Sequence, residues 1–155
     1  MFWEKITRRI PLGETPRRIA LGFSIGLFIG MTPFLGIHLI LSVILTSFFG
    51  GNKLAAAVGV NITNVVTAPL IYPINYWVGV KLSGISGNVP LSFSSENVKI
   101  LSLVKQSPLI LADLVIGGVA LGVPLALVGY IGALKLVGYL RSKKRKSEVS
   151  ELMQY

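Results

Sequence analysis

The side chains that could do chemistry in this chain are few, and they lie in its most apolar stretches. His38 is the only histidine, and Asp113 is the only acidic residue inside an apolar region. Ionisable groups in such surroundings are costly and usually have a function with an identifiable partner. The two can pair with each other. Alternatively, a neutral His38 donates to a backbone carbonyl and Asp113 lies at a polar edge beside Pro108.

Two proline-containing segments supply the other candidate groups. Thr32 and Pro33 interrupt the first apolar region, where a proline would remove a backbone donor and break a helix. In the second region, positions 61, 64 and 67 are spaced to share one helical face, just ahead of two prolines. Their amides and hydroxyl either line a hydrated, substrate-facing surface or hold neighbouring helices together. The predicted polar site comprises Thr32, Pro33, His38, Asn61, Asn64, Thr67 and Asp113.

Enzyme chemistry is not predicted. One histidine and one buried aspartate provide no nucleophile with a base, no catalytic carboxylate pair and no cluster with metal-ligand spacing. The chain has no cysteine, which excludes disulfides and thiolate metal sites. We therefore expect no catalytic residue, no cofactor and no metal.

The elements that would position these residues are membrane helices. Hydrophobic residues make up 52% of the 155 residues, charged residues 14%, and the mean hydropathy is +0.72. Soluble domains have about 25% charged residues. Residues 19–52 and 54–80 contain no Asp, Glu, Lys or Arg, and a third apolar region follows at 109–140. The composition predicts an all-α integral membrane protein, a compact bundle of helices broken by proline and glycine.

The predicted membrane domain covers residues 19–140, with apolar regions at 19–49, 54–80 and 109–140 and a polar loop at 81–96. Charged segments lie at both of its ends. Residues 1–18 form a basic segment with an amphipathic pattern, and 141–155 form a basic tail; five basic residues lie in each flank. Basic residues beside apolar spans indicate the cytoplasmic side and attract anionic lipid. The net charge of +9 therefore predicts a bilayer partner rather than nucleic acid.

Both termini are then expected in the cytoplasm, which requires an even number of crossings. Three full spans would give an odd number. Residues 19–31 would form a helix of only about 20 Å, short of a hydrocarbon core of about 30 Å. We therefore expect residues 19–49 to fold back as a re-entrant hairpin.

Small residues recur every four positions on two helices. Gly22, Gly26 and Gly30 form one smooth face, and Gly118, Gly122 and Ala126 form another. Such faces let helix backbones approach closely in lipid. We expect them to form a contact between these two helices or between two copies of the chain, and we expect a homo-oligomer.

The segments "TPRRIALGFSIGLFIGMTPFLGIH" and "GVNITNVVTAPLIYPINYWVG" carry a family resemblance. Over residues 15–140 the chain resembles the family called domain of unknown function 2062, small bacterial membrane proteins. It departs at Val65, where that family usually has proline, so a break is expected later, at Pro69. The resemblance implies a multi-pass protein of the bacterial inner (cytoplasmic) membrane. The resemblance implies no established activity, cofactor or catalytic residue.

Two functions fit these features. One is a small oligomeric transporter or channel, in which broken helices present a polar site at mid-depth. The other is a non-transporting membrane scaffold or adaptor. Because some members of the resembling family are joined to glycosyltransferase-like domains, the second would connect to envelope lipid or polysaccharide handling.

Overall fold

Helices alternate with glycine- and proline-containing breaks along the chain. The computed structural model describes residues 14–34, 36–62, 66–85 and 108–153. These residues form helices and no strand, which confirms the predicted all-helical class. The helices are α1 (Pro16–Gly30), α2 (His38–Phe48), α3 (Lys53–Val60), α4 (Ala68–Ser83) and α5 (Pro108–Leu152).

Helix α1 lies at the centre of the bundle, packed against α2, α3 and α5. The Thr15 side chain accepts a hydrogen bond from the Arg18 amide, and Pro16 occupies the first turn, both of which favour the start of a helix. Its 15 residues give a length of about 22 Å. The helix ends at Gly30 inside the bundle, just before the buried Thr32 and Pro33.

The chain then folds back within residues 19–49, as the segment lengths predict. The Asn52 amide donates to the Arg18 carbonyl oxygen over 2.8 Å, and Arg18 Nε donates to the Gly50 carbonyl oxygen over 2.7 Å. The end of α2 is therefore beside the start of α1. We call α1, α2 and the turn between them the hairpin, and residues 31–34 its tip.

Helix α3 runs alongside α1 in the same direction. A Cβ on Gly22 would overlap the Asn52 carbonyl oxygen, and one on Gly26 would overlap that of Ala56. From the other side, a Cβ on Gly59 would overlap the Phe23 carbonyl oxygen. The two helices are thus in backbone contact, which only glycine permits at these positions.

Helices α4 and α5 run antiparallel, again with glycines at the contact. Gly79 faces the carbonyl oxygen of Asp113, and Gly117 faces that of Asn75. At the far end of α5, Arg141 donates to the Glu14 carbonyl oxygen. The residues that precede α1 and the basic part of α5 therefore lie at the same end of the bundle.

Several predicted boundaries are wrong. The second apolar region breaks after Val60, not at Pro69, which lies in the first turn of α4. Helix α4 continues to Ser83, so the loop predicted from residue 81 starts later. The basic tail predicted from residue 141 is a continuation of helix α5 to Leu152.

Of the three apolar regions, only the last forms a helix long enough to cross a membrane among the residues described. That helix covers Pro108–Arg145, and α2 is a shorter apolar helix. The other two regions are each divided by a break. The predicted amphipathic segment before residue 14 and most of the predicted loop at 81–96 lie outside the described residues.

Replacing Gly26 with Ala should destabilise the protein, since the added methyl group would overlap the Ala56 carbonyl oxygen. We expect a loss of about 1–3 kcal/mol in the free energy of unfolding, as for other overpacked sites. Thermal unfolding in detergent micelles would measure it. Gly132→Ala is the matched control, because nothing lies within 4 Å of its Cβ position. Equal losses for the two variants would contradict the α1–α3 contact.

Candidate functional site

The bundle buries several polar side chains and exposes many large apolar ones. The buried polar side chains among the described residues are Ser24, Thr32, Ser42, Thr46, Asn75 and Asp113. Large apolar side chains are exposed on α2, α3, α4 and α5, including Phe48 at 83% and Leu70 at 69%. These polar groups lie in the interior, so any site that they form is internal.

The densest group of polar contacts lies where the hairpin tip meets α4. Asn75 Nδ2 donates to the Met31 carbonyl oxygen over 2.7 Å, and the Tyr72 hydroxyl donates to the Thr32 carbonyl oxygen over 3.4 Å. The Thr32 hydroxyl donates to the Ile29 carbonyl oxygen over 2.6 Å. We call Met31, Thr32, Tyr72 and Asn75 the tip cluster. Its side chains satisfy carbonyl groups that the end of α1 leaves without a helical partner.

Helix α5 packs against the tip cluster, which lies between the hairpin tip and α4. Gly117 lies against the Asn75 backbone, and a Cβ on Gly118 would come within 2.6 Å of the Met31 carbonyl oxygen and 3.5 Å of Asn75 Nδ2. Any larger residue at these two positions would occupy the space next to the amide. The two glycines of α5 thus allow three segments of backbone to meet at one point.

Asp113 lies one turn further along α5. Its side chain is fully buried and accepts a hydrogen bond from the Ser83 hydroxyl at the end of α4. Four residues separate Asp113 from Gly117, which corresponds to about 6 Å along the helix axis. Because Ser83 is eight positions after Asn75, or about 12 Å along α4, the carboxyl group lies beyond the tip cluster, on the side away from Arg141.

His38 is not part of this cluster. It begins α2, is half-buried, and its Nδ1 accepts a hydrogen bond from the Gly36 amide over 3.3 Å. The structure gives no hydrogen bond or ion pair between His38 and Asp113. The carbonyl groups freed near Pro33 do need donors, as expected, but Tyr72 and Asn75 supply them instead of His38.

Asn61 and Thr67 lie on either side of the break between α3 and α4, so these two members of the predicted face do not share one helical surface. Asn61 caps the end of α3, is exposed, and donates to the Ala57 carbonyl oxygen over 2.7 Å. Thr67 caps the start of α4 and donates to the Ile62 carbonyl oxygen over 2.8 Å. Asn64 lies outside the described residues. Both described residues thus serve the helix ends on either side of the break.

The two glycine faces do not meet each other. Gly22 and Gly26 contact α3, whereas Gly118 and Gly122 contact Met31 and, at Gly122, Phe28. Gly30 is buried at the end of α1.

The tip cluster consists of hydrogen-bonding groups. It contains two hydroxyls, one amide and backbone carbonyl oxygens, which are groups that contact small polar ligands in proteins. In the described residues there is no group of three or more His, Cys, Asp or Glu side chains that could hold a metal.

Tyr72, Asn75 and Ser83 provide the principal side-chain contacts here, although the predicted polar site does not include them. Tyr72, Asn75 and Gly79 are all buried and follow the spacing of one helical face. That pattern becomes visible once α4 is taken to begin at Ala68 and to continue through Pro73. The helical spacing of these residues is therefore present in the sequence, but the prolines indicate a break there instead of a helix.

The fold and site define an all-helical bundle with a buried polar cluster and one long apolar helix. The chain belongs to the family described as "Uncharacterized protein conserved in bacteria (DUF2062)", whose model matches residues 1–146. No curated protein and no solved structure matches the chain.

Replacing Asn75 with Ala should leave the Met31 carbonyl oxygen buried without its donor. We expect a loss of about 1–3 kcal/mol in the free energy of unfolding, the usual cost of such a group. Asn61→Ala should change it by less than about 0.5 kcal/mol, since that amide is exposed. Unfolding curves of both variants in the same detergent would test this, and similar losses would contradict a special role for Asn75.

Proposed function

We propose that this protein is an integral protein of the bacterial inner membrane. The observation that carries the proposal is this distribution of side chains: buried Asn75 and Asp113, against exposed Phe48, Leu70 and Val128 at 68%. Exposed apolar surface of this extent is unusual for a soluble protein. Lipid would cover it, while the interior polar groups find partners within the bundle.

In this proposal the hairpin is re-entrant. Its 15-residue first helix is shorter than a hydrocarbon core of about 30 Å, and its second helix returns to the end where Arg18 lies. Helices α3 and α4 together make one broken crossing, and α5 makes the other. Both flanking segments then lie in the cytoplasm, where their basic residues contact anionic lipid.

The function that we propose for this bundle is transport of a small polar solute. Broken helices that end inside the membrane are a recurrent way of building a solute or ion site at mid-depth. Here α1 ends at Gly30 beside a buried amide and a buried hydroxyl. One chain of this size offers few helices to enclose a path, so we propose that the transporting unit is a homo-oligomer.

A non-transporting scaffold is the second candidate, and one observation favours it. The contacts of Tyr72 and Asn75 join α4 to the hairpin tip, so the same side chains could serve only to hold the bundle together. The basic end near Arg18 and Arg141 would then recruit anionic lipid or an acidic partner.

Membrane orientation can be tested with single cysteines, since the chain has none. Ser47→Cys and Ser142→Cys should react with a membrane-impermeant maleimide from the cytoplasmic side, and Ile85→Cys from the outside. All three positions are exposed, and the first two lie at the end where Arg18 contacts Gly50 and Arg141 contacts Glu14. Val128→Cys, on the apolar surface of α5, should stay unlabelled. Labelling of position 47 from the outside would contradict the re-entrant hairpin, and labelling of positions 47 and 85 from one side would contradict the α3–α4 crossing.

Transport can be tested by solute flux into vesicles that contain the purified protein, with a panel of small polar solutes. Asn75→Ala should reduce flux of the transported solute by about tenfold, the effect of losing roughly 1.4 kcal/mol of interaction. Asn61→Ala is the matched control and should retain flux. Absence of flux for every solute, with correct insertion, would favour the scaffold.

A further inference from the structure

One acceptor atom at the centre of the tip cluster has no partner. Asn75 Oδ1 is buried and makes no hydrogen bond, while Nδ2 of the same amide donates to the Met31 carbonyl oxygen. The Asn75 side chain has no exposed surface. A buried polar atom without a partner is costly, and an ion or a water is the usual explanation.

The surroundings of this oxygen attract positive charge. The carbonyl groups of Met31 and Thr32 follow the carboxyl end of α1, which carries the negative end of the helix dipole. The tip cluster itself contains no cationic side chain.

We propose that a monovalent cation binds at the tip cluster. Asn75 Oδ1 is the side-chain ligand, and carbonyl oxygens of residues 31–34 complete the site, since each carbonyl can accept more than one contact. Unwound carbonyls and the carboxyl ends of broken helices hold sodium ions in this way in secondary transporters. A divalent ion is less suited, because calcium and magnesium sites usually take carboxylates directly.

This inference rests on the proposed transport function and names the chemical class of its ligand. Sodium, potassium and ammonium ions share the chemistry that the site recognises. The Asp113 carboxyl group is not part of the site, because its hydrogen bond with Ser83 places it at the end of α4.

The test is the melting temperature of the full-length protein in detergent, titrated with sodium, potassium or ammonium chloride. Choline chloride replaces each salt to hold the ionic strength constant. We expect at least one ion to raise the melting temperature by about 3–5 °C for each tenfold increase in concentration above half-saturation. Equal curves in all four salts would overturn the proposal.

Two variants locate the site. Asn75→Leu should abolish the ion-specific shift, whereas Asn61→Leu, at an exposed amide, should keep it. A shift that persists in Asn75→Leu would overturn the assignment to this residue. If Asn75→Leu does not fold, Asn75→Asp provides the test of the site. This variant keeps the acceptor oxygen and adds a negative charge, which should strengthen cation binding. A lower half-saturation concentration in Asn75→Asp supports the site, and an unchanged one contradicts it.

The flux assay separates this inference from the proposed function. An ion-specific shift without flux of any solute would support the cation site and contradict transport. Flux with identical melting in all four salts would support transport and contradict the cation site.

Discussion

The end of α1 inside the bundle is the constraint on which the remaining arrangement depends. A helix that stops in the interior leaves carbonyl groups that must find donors, because no water is available there in quantity. Asn75 and Tyr72 supply two of these donors from α4, and the Thr32 hydroxyl supplies a third within the tip. The position of α4 is thereby tied to the point at which α1 ends.

Close backbone contact makes that arrangement possible. Glycines at positions 26 and 59 bring α1 and α3 together, and glycines at 79 and 117 bring α4 and α5 together. These contacts depend on shape rather than on apolar burial, which suits a bundle whose outer surface is itself apolar. The interior can therefore be polar without losing its packing.

Much of the local structure follows from the sequence, and most of the long-range pairing does not. The cap at Thr15, the fold-back before residue 49 and the need for donors near Pro33 could each be deduced from short-range chemistry. The donors could not, since they lie 40 and 44 positions away on α4. The second break was misplaced because prolines in the first turn of a helix are well tolerated, so Pro69 marks the start of α4 rather than its interruption.

The continuation of α5 past Arg141 to Leu152 has a mechanical consequence. A helix transmits both distance and angle, so these last turns form a rod that projects by about 17 Å at a fixed rotation relative to the bundle. One residue inserted into this rod would advance whatever follows by about 1.5 Å and turn it by about 100°. A partner attached beyond Leu152 would be held in a defined orientation relative to the bundle, which a flexible linker would not provide.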